Sequence, residues 1–285
     1  MMNLSNNITK KITSRFFNSI LDEVKSSNAI YSPKIAKMLN MYYPYFRDNK
    51  IIDHGYDAFY YTTRTSYFLN HLKKGDKILD VGCGTGSEAI LFALCGGIVD
   101  AIDLSKDRLE TARQRKAYYE KKHKTSLNIN LEMKNVLKHE GTYDLIWVNE
   151  AISHIAPISE FIEMCHKNLI SGGKLIISDA NNLNPIIFMR NKSAQKDWGA
   201  IYRKEKHPIT GETYIYAMER CFTIPAIKKI LSTKFKINAV YPVGYFPPFV
   251  FNRFKKSCVL LEKIVRTLPL VRLLSGVYVI VCSKH

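Results

Sequence analysis

The chain has 285 residues, 46% of them hydrophobic, enough for one large domain with a full core that needs no disulfide or metal staples. Its six cysteines, Cys83, Cys95, Cys165, Cys221, Cys258 and Cys282, form no Cys-x-x-Cys pair and no zinc-like spacing with histidine, so they read as small apolar residues in a reducing cytoplasm. A net charge of +17 invites an anionic partner such as nucleic acid, a membrane or a phosphorylated substrate. A lysine-, asparagine- and isoleucine-rich composition gives the same sum, so charge alone does not choose.

Met1 to Phe17 carries Lys10, Lys11 and Arg15 with no apolar run behind them, so no secretory signal is expected. Ser5 to Val24 and Ser32 to Tyr43 repeat apolar residues at three- and four-residue spacing, which predicts helices. An aromatic-rich stretch over 42–68 follows, and Gly75-Asp76 closes a helical cap spanning 1–75. From Lys77 short apolar strands alternate with helices. Strands are expected at Lys77–Val81, Ile98–Ile102, Leu127–Met133 (an edge strand), Tyr143–Val148 and Lys174–Ser178. Helices are expected from Ser87 to Cys95, from Ser105 to His123 and from Pro157 to Leu169, and Gly172-Gly173 is a turn. The alternation predicts an α/β fold, a doubly wound parallel sheet whose ligands bind beyond the carboxyl ends of its strands.

Residues 180–222 interrupt this rhythm with a polar, basic insertion placed to overhang the site. Ile224–Ser232 resumes as a helix, Phe235–Tyr241 as a strand, Phe249–Leu274 as mostly helix and Val277–Cys282 as a last strand. Phe254, Cys258, Leu261 and Val265 share one helical face, with Lys256 and Lys263 opposite. The segment 251–272 is therefore either a basic amphipathic helix lying peripherally on an anionic membrane or a helix packed on the sheet. No stretch reaches the ~18 uninterrupted apolar residues of a spanning helix.

The loop Asp80-Val81-Gly82-Cys83-Gly84-Thr85-Gly86 follows a strand and opens a helix, whose unpaired N–H groups lie just beyond it. Dinucleotide enzymes use a similar glycine pattern. Asp80 helps separate a dinucleotide from a cationic ligand, because an acidic side chain there favours a cation and opposes a pyrophosphate. Asp103 ends the next strand, where a carboxylate can accept hydrogen bonds from both ribose hydroxyls of either kind of ligand.

The run Ile78 to Gly86 resembles motif I of the class I S-adenosylmethionine (SAM)-dependent methyltransferases. Asp103, followed by Leu104, matches that family's acidic residue after the second strand, and Asn135-Val136 sits where the family holds the adenine. Tyr143 to His154 resembles the fourth-strand motif and the segment after it, and Leu169 to Leu175 the turn before the fifth strand. The similarity covers 75–180 and returns at 223–285. It implies a seven-stranded, mainly parallel sheet over 76–285 with SAM as cofactor. It also implies a SAM site built from Asp80, Gly82, Cys83, Gly84, Gly86, Asp103, Leu104, Asn135, Val136 and Asn149. Asn135 departs from the commoner acidic residue at its position.

Methyl transfer from a sulfonium is an in-line displacement, in which near-attack positioning can contribute roughly 7–11 kcal/mol. A base is needed only where the acceptor keeps its proton. His154 is one candidate, or else a packed histidine that orients its segment. Glu150 would bind a polar substrate or cap the following helix, and Asn149 would meet the SAM amino group or the acceptor. His54, Asp57, Glu205 and His207 are further titratable groups near the expected site. No Asn/Asp-Pro-Pro-aromatic tetrapeptide follows the fourth strand and no Pro-Cys pair occurs, which disfavours nucleobase chemistry. Nucleic-acid binding would also want aromatic and basic residues interleaved, whereas the aromatics cluster at 42–68 and the basic residues mainly elsewhere. The leading expectation is transfer to an oxygen, less so a nitrogen, of a small-molecule, sugar or lipid-linked acceptor. The alternatives are an RNA acceptor on the basic surface and a catalytically idle, membrane-associated partner protein.

Overall fold

The computed structural model describes residues 2–43, 55–194, 202–206, 211–217 and 220–284. Its centre is a seven-stranded sheet of β1 (Lys77–Val81), β2 (Ile98–Asp103), β3 (Ile129–Met133), β4 (Tyr143–Asn149), β5 (Leu169–Ala180), β8 (Phe235–Val243) and β9 (Val277–Lys284). The order is β3-β2-β1-β4-β5-β9-β8, with β9 antiparallel to both of its neighbours and the other pairs parallel. The chain runs outward from β1 to β2 and β3, then crosses back to β4 on the other side of β1. The ends of β1 and β4 therefore form the switch point where such sheets bind ligands.

The strands are apolar on both sides because both sides are covered. Alternation along each strand divides the core in two. Ile78, Val99, Leu145, Trp147 and Ile176 pack on one face, and Leu79, Val81, Ile146, Val148 and Ile177 on the other. Helices α5 (Ser87–Leu94), α6 (Lys106–His123), α7 (Ile158–Asn168) and α9 (Ile224–Leu231) fall within a residue or two of their predicted positions. Ser105 caps α6, accepting from the Arg108 N–H at 3.3 Å, while Asp107 in the first turn and Lys121 and Lys122 in the last complement its dipole.

Before β1 come α1 (Met2–Lys25), α2 (Ser27–Ile30), α3 (Pro33–Tyr42) and α4 (Gly55–Leu69). Helix α4 packs along α1, and Phe68 at its end stacks on Phe92 at 3.9 Å and meets Trp147 edge-on at 5.2 Å. The end of the aromatic stretch is thus packing of cap onto sheet, and Tyr67 adds to it by stacking on Tyr241 of β8 at 3.9 Å. Tyr45 and Phe46 lie outside the described residues.

Three sequence expectations are adjusted. The fifth strand begins at Leu169, and the predicted turn lies inside it: register passes from Tyr143↔Leu169 to Leu145↔Lys174, so 170–173 bulges outward with Gly172 at φ +75°. The insertion, to which the sequence assigns no helix or strand, contains α8 (Pro185–Ala194) and a hairpin of β6 (Tyr202–Lys206) and β7 (Thr213–Ala217). The helical 249–274 stretch breaks at Phe254 into α10 (Pro248–Arg253) and α11 (Lys255–Val265). Of its predicted common face only Cys258 is fully buried, and Phe254 and Leu261 are exposed. The packed face is centred on Cys258 and Glu262 instead, because the Glu262 carboxylate accepts from the Tyr245 N–H at 3.1 Å and pairs with Arg266 at 2.9 Å. No helix among the described residues is long and apolar enough to cross a membrane.

Candidate active site

A cavity of about 1290 Å³ lies over the carboxyl ends of β1, β2, β4 and β5. It exceeds the ~300–1,000 Å³ typical of a single small-molecule pocket, leaving room for two ligands side by side. Tyr42, Tyr43, Tyr60, Tyr61 and Arg64 of the cap form one wall. Ile186, Ile187, Lys206, Tyr214 and Ile215 of the insertion line another part, as its position after a strand end predicted.

The glycine-rich loop is held from several sides. The N–H groups of Gly82 and Cys83 donate to the Ile102 carbonyl at 2.8 and 3.0 Å, and the Gly84 N–H donates to Asp103 Oδ2 at 2.9 Å. A Cβ at Gly82 would sit 2.8 Å from that of Ala151, and one at Gly84 would run into the Tyr42 hydroxyl; both residues have positive φ. Gly86 caps α5, and Cys83, which lines the cavity, is a buried thiol whose pKa is pushed up by burial and by Asp80 and Asp103. Behind the loop Arg115 donates to the Thr85 carbonyl at 2.9 Å and to Ser87 Oγ at 2.7 Å. Its other nitrogens grip Glu23 of α1 bidentately at 2.7 and 2.9 Å, and Tyr119 and Tyr31 donate to the same carboxylate. The cap is thereby tied to the loop through a buried, fully hydrogen-bonded ion pair.

Acceptors gather where the loop meets β4. Asp80 is buried, and the Ala89 N–H donates to its carboxylate, yet its Oδ2 has no partner among the described residues, and neither does Asn149 Oδ1. Glu88 lies beside them, its Oε1 3.5 Å from Asn149 Nδ2. Burial, reinforced by Glu88 and Asp103, pushes the Asp80 carboxyl well above its usual range. Burial also raises Glu88, although Arg64 opposes the rise. Buried acceptors without donors suit a cationic ligand. Arg64, which no sequence motif singles out, stands 4.0 Å from Glu88 and is ion-paired to Glu150.

The predicted residues of the other strand ends also face the cavity. Asp103 accepts from the Gly84 and Ser105 N–H groups, one on each oxygen, which leaves lone pairs for a further donor on both. Leu104, Asn135 and Val136 line the wall next to it. The Asn135 side-chain Oδ1 accepts from the Leu137 N–H at 3.0 Å, so this side chain caps its own turn.

Glu150 and His154 lie on the far side of the switch point, and both line the cavity. Glu150 adopts φ +50°, its N–H donates to the Ser178 carbonyl at 2.8 Å, and its carboxylate is engaged by Arg64. His154 ends a short 3-10 turn, its N–H donating to the Ala151 carbonyl at 2.9 Å. Between them the structure adds Asp179, at the end of β5. It is buried and lines the cavity, accepting from the Ala180 N–H at 2.6 Å and the Ser153 N–H at 3.2 Å. Burial, with Glu150 adding to it, pushes its pKa up to about 7. The signal that marks Asp80 and Asp103, an acid at the carboxyl end of a buried strand, marks Asp179 too. Of the remaining candidates Asp57 lines the cavity, Glu205 falls on β6, and His54 and His207 lie outside the described residues.

A family model described as a methyltransferase domain matches residues 72–230. The ribosomal protein L11 methyltransferase of Thermotoga neapolitana is 29% identical over 150 residues, 51% of this chain and 53% of that protein. The ubiquinone biosynthesis O-methyltransferase of Rickettsia akari is 33% identical over 117 residues, 41% of this chain and 45% of that protein. The chain thus spans about half the length of the curated relatives it matches. Among solved structures, a SAM-dependent methyltransferase of Methanosarcina mazei superposes with a TM-score of 0.53 at 19% identity, over 76% of this chain and 96% of that one. The [4+2]-cyclase SpnF superposes with a TM-score of 0.51 at 16% identity, over 79% and 81%. Similarity at this level conveys the fold, and the cyclase shows that one such fold carries more than one chemistry.

Proposed function

The chain belongs to the class I SAM-dependent methyltransferases, and from that premise we propose that it methylates an oxygen of a small-molecule, sugar or lipid-linked acceptor held under the cap, with Asp179 taking the proton. SAM supplies a methyl group already activated on a sulfonium sulfur. The protein's part is to hold donor and acceptor in line and to accept a proton where the acceptor keeps one.

The observation that carries the donor half is that Asp80 Oδ2 and Asn149 Oδ1, both buried and without partners among the described residues, face the same cavity beside Glu88 and Arg64. An amino-acid tail has an ammonium for the acceptors and a carboxylate for Arg64. Asp103 would accept from the ribose hydroxyls, and Leu104, Asn135 and Val136 would wall the base. In the acceptor half, a buried carboxyl with a pKa near neutrality suits a proton acceptor that alternates between its two states at working pH. His154 lies one residue from Ser153, whose N–H meets Asp179, and would orient the acceptor. Glu150, engaged by Arg64, is a positioning group in this scheme.

The test is incubation with methyl-labelled SAM and fractionated extract. Label in the lipid or small-molecule fraction, stable to conditions that preserve ethers and lost on Asp80→Ala, is the expected result. Label confined to RNA or protein would overturn the acceptor class.

A further inference from the structure

We propose that the outward face of α10 and α11 docks this protein on an anionic lipid bilayer, and that its acceptor is delivered from that surface. The inference rests on the methyltransferase reading and narrows its acceptor to a lipid-borne one.

Helix α11 carries its apolar residues on the wrong side for a helix that only packs inward. Cys258 and Glu262 face the protein, while Leu260, Leu261 and Ile264 are exposed, Leu260 by 60% and Ile264 by 51%. Their spacing places them on one outward stripe, and Lys256 and Lys263 fall at its border. Phe249 on α10 is 77% exposed and Leu270, in the turn after α11, 80%. Single exposed apolar side chains are ordinary, but a stripe of them edged by lysines is the pattern of a helix lying in a membrane interface.

Charge identifies the occupant. Residues 246–276 hold Arg253, Lys255, Lys256, Lys263, Arg266 and Arg272 against a single acid, Glu262, which is buried and paired with Arg266. Lys10 of α1 adds to this crowding: burial, with Arg266 and Lys263 nearby, holds its ammonium below the usual lysine pKa. A second copy of the chain seated here about a two-fold axis would bring these like charges together. An anionic bilayer neutralises them and covers the leucines at the same time.

The same surface borders the cavity. Pro247, Pro248 and Asn252 line it, and Phe249 follows directly. On the insertion side Ile186 and Ile187 line it, while Phe188 and Met189 of the same helix are exposed. That helix is clamped against the turn after α11, Asn184 Nδ2 donating to the Leu274 carbonyl at 2.8 Å and Asn181 Nδ2 to that of Leu273 at 2.7 Å. An acceptor with a polar head and a hydrocarbon tail can thus place its head under the cap and leave its tail in the bilayer.

The test is co-sedimentation of the full chain with vesicles of phosphatidylcholine alone and of phosphatidylcholine with phosphatidylglycerol. Wild type should bind the anionic vesicles and bind the zwitterionic ones weakly. Lys256→Gln and Lys263→Gln should each weaken binding roughly fivefold, and Leu260→Ser with Ile264→Ser by at least about tenfold. All these side chains are exposed, and SAM binding by calorimetry should be unchanged in each variant. Wild type left in the supernatant, variants that bind vesicles like wild type, or a dimer in sedimentation velocity that Leu260→Ser with Ile264→Ser dissociates without altering vesicle binding would each overturn the proposal. Loss of SAM binding by wild type would instead overturn the methyltransferase reading, whatever the vesicles show.

Discussion

Arg64 on the cap helix pairs with Glu150 beyond β4 and lies 4.0 Å from Glu88 of α5, so one guanidinium from outside the sheet compensates two carboxylates at the switch point. Its removal leaves Glu88 buried beside Glu150 with only repulsion between them. We expect Arg64→Met to weaken SAM binding by about 10–100-fold, the range for losing hydrogen bonds to charged groups. Arg64→Lys should recover only part, because an ammonium cannot present the planar fork. Calorimetry measures both. An unchanged Kd in Arg64→Met would confine this residue to holding the cap.

Asp80 predicts opposite effects on stability and on binding. Its folded-state pKa lies above its unfolded one, so the fold favours the protonated form. Any stability it contributes is present in acid and is lost as pH rises through the unfolded value of about 3.9 toward the raised folded value. At neutral pH, Asp80→Asn should therefore melt higher than wild type without SAM and lose most of the rise in Tm that SAM confers. In wild type, SAM affinity should weaken as pH falls, because binding a cation there expels the proton. A variant that melts lower and keeps its SAM-dependent shift would contradict both parts.

For Asp179 the pH–rate profile is the decisive measurement. With a pKa of about 7, kcat/KM should climb by up to tenfold per pH unit below neutrality and level off above it. Asp179→Asn should abolish that limb and lower the rate by about 10²–10⁴. His154→Gln should keep the limb at a reduced plateau. If the limb disappears with His154→Gln and survives Asp179→Asn, the roles are reversed.

Glu23 has the other sign. Burial alone would raise its pKa, but Arg115 and the hydrogen bonds from Tyr31 and Tyr119 lower it overall. Its stabilisation is present above the unfolded value of about 4.3 and is lost as pH falls through the depressed folded one. Glu23→Ala strands a buried guanidinium and should cost about 3–5 kcal/mol in urea denaturation, whereas Glu23→Leu with Arg115→Met should cost much less. A cost under about 1 kcal/mol for Glu23→Ala would put the pair among surface bridges.

The strands that bear the site were legible because each is a short apolar run closed by an acid or a glycine pair. Asp80 and Asp103 could be placed at strand ends from spacing alone. Arg64 could not, since it sits among tyrosines on a helix whose docking is set by contacts with α1 and with Phe92 and Trp147, far away in sequence. Asp179 carries the same readable signal, an acid closing a buried apolar strand, but no motif ranks it above the segment after β4. In α11 the helix was visible and its orientation was not. Glu262, a charged residue that periodicity assigns to solvent, is buried by the Tyr245 N–H and Arg266, and this turns the leucines outward.

The Glu23–Arg115 pair also makes two distant parts of the chain answer to one another. Its residues are 92 positions apart, one on α1 and one on α6, and Arg115 also holds Thr85 and Ser87 at the glycine-rich loop. A change that loosens α1 at Glu23 therefore reaches that loop through a single guanidinium, and the cap and the ligand chamber share one joint.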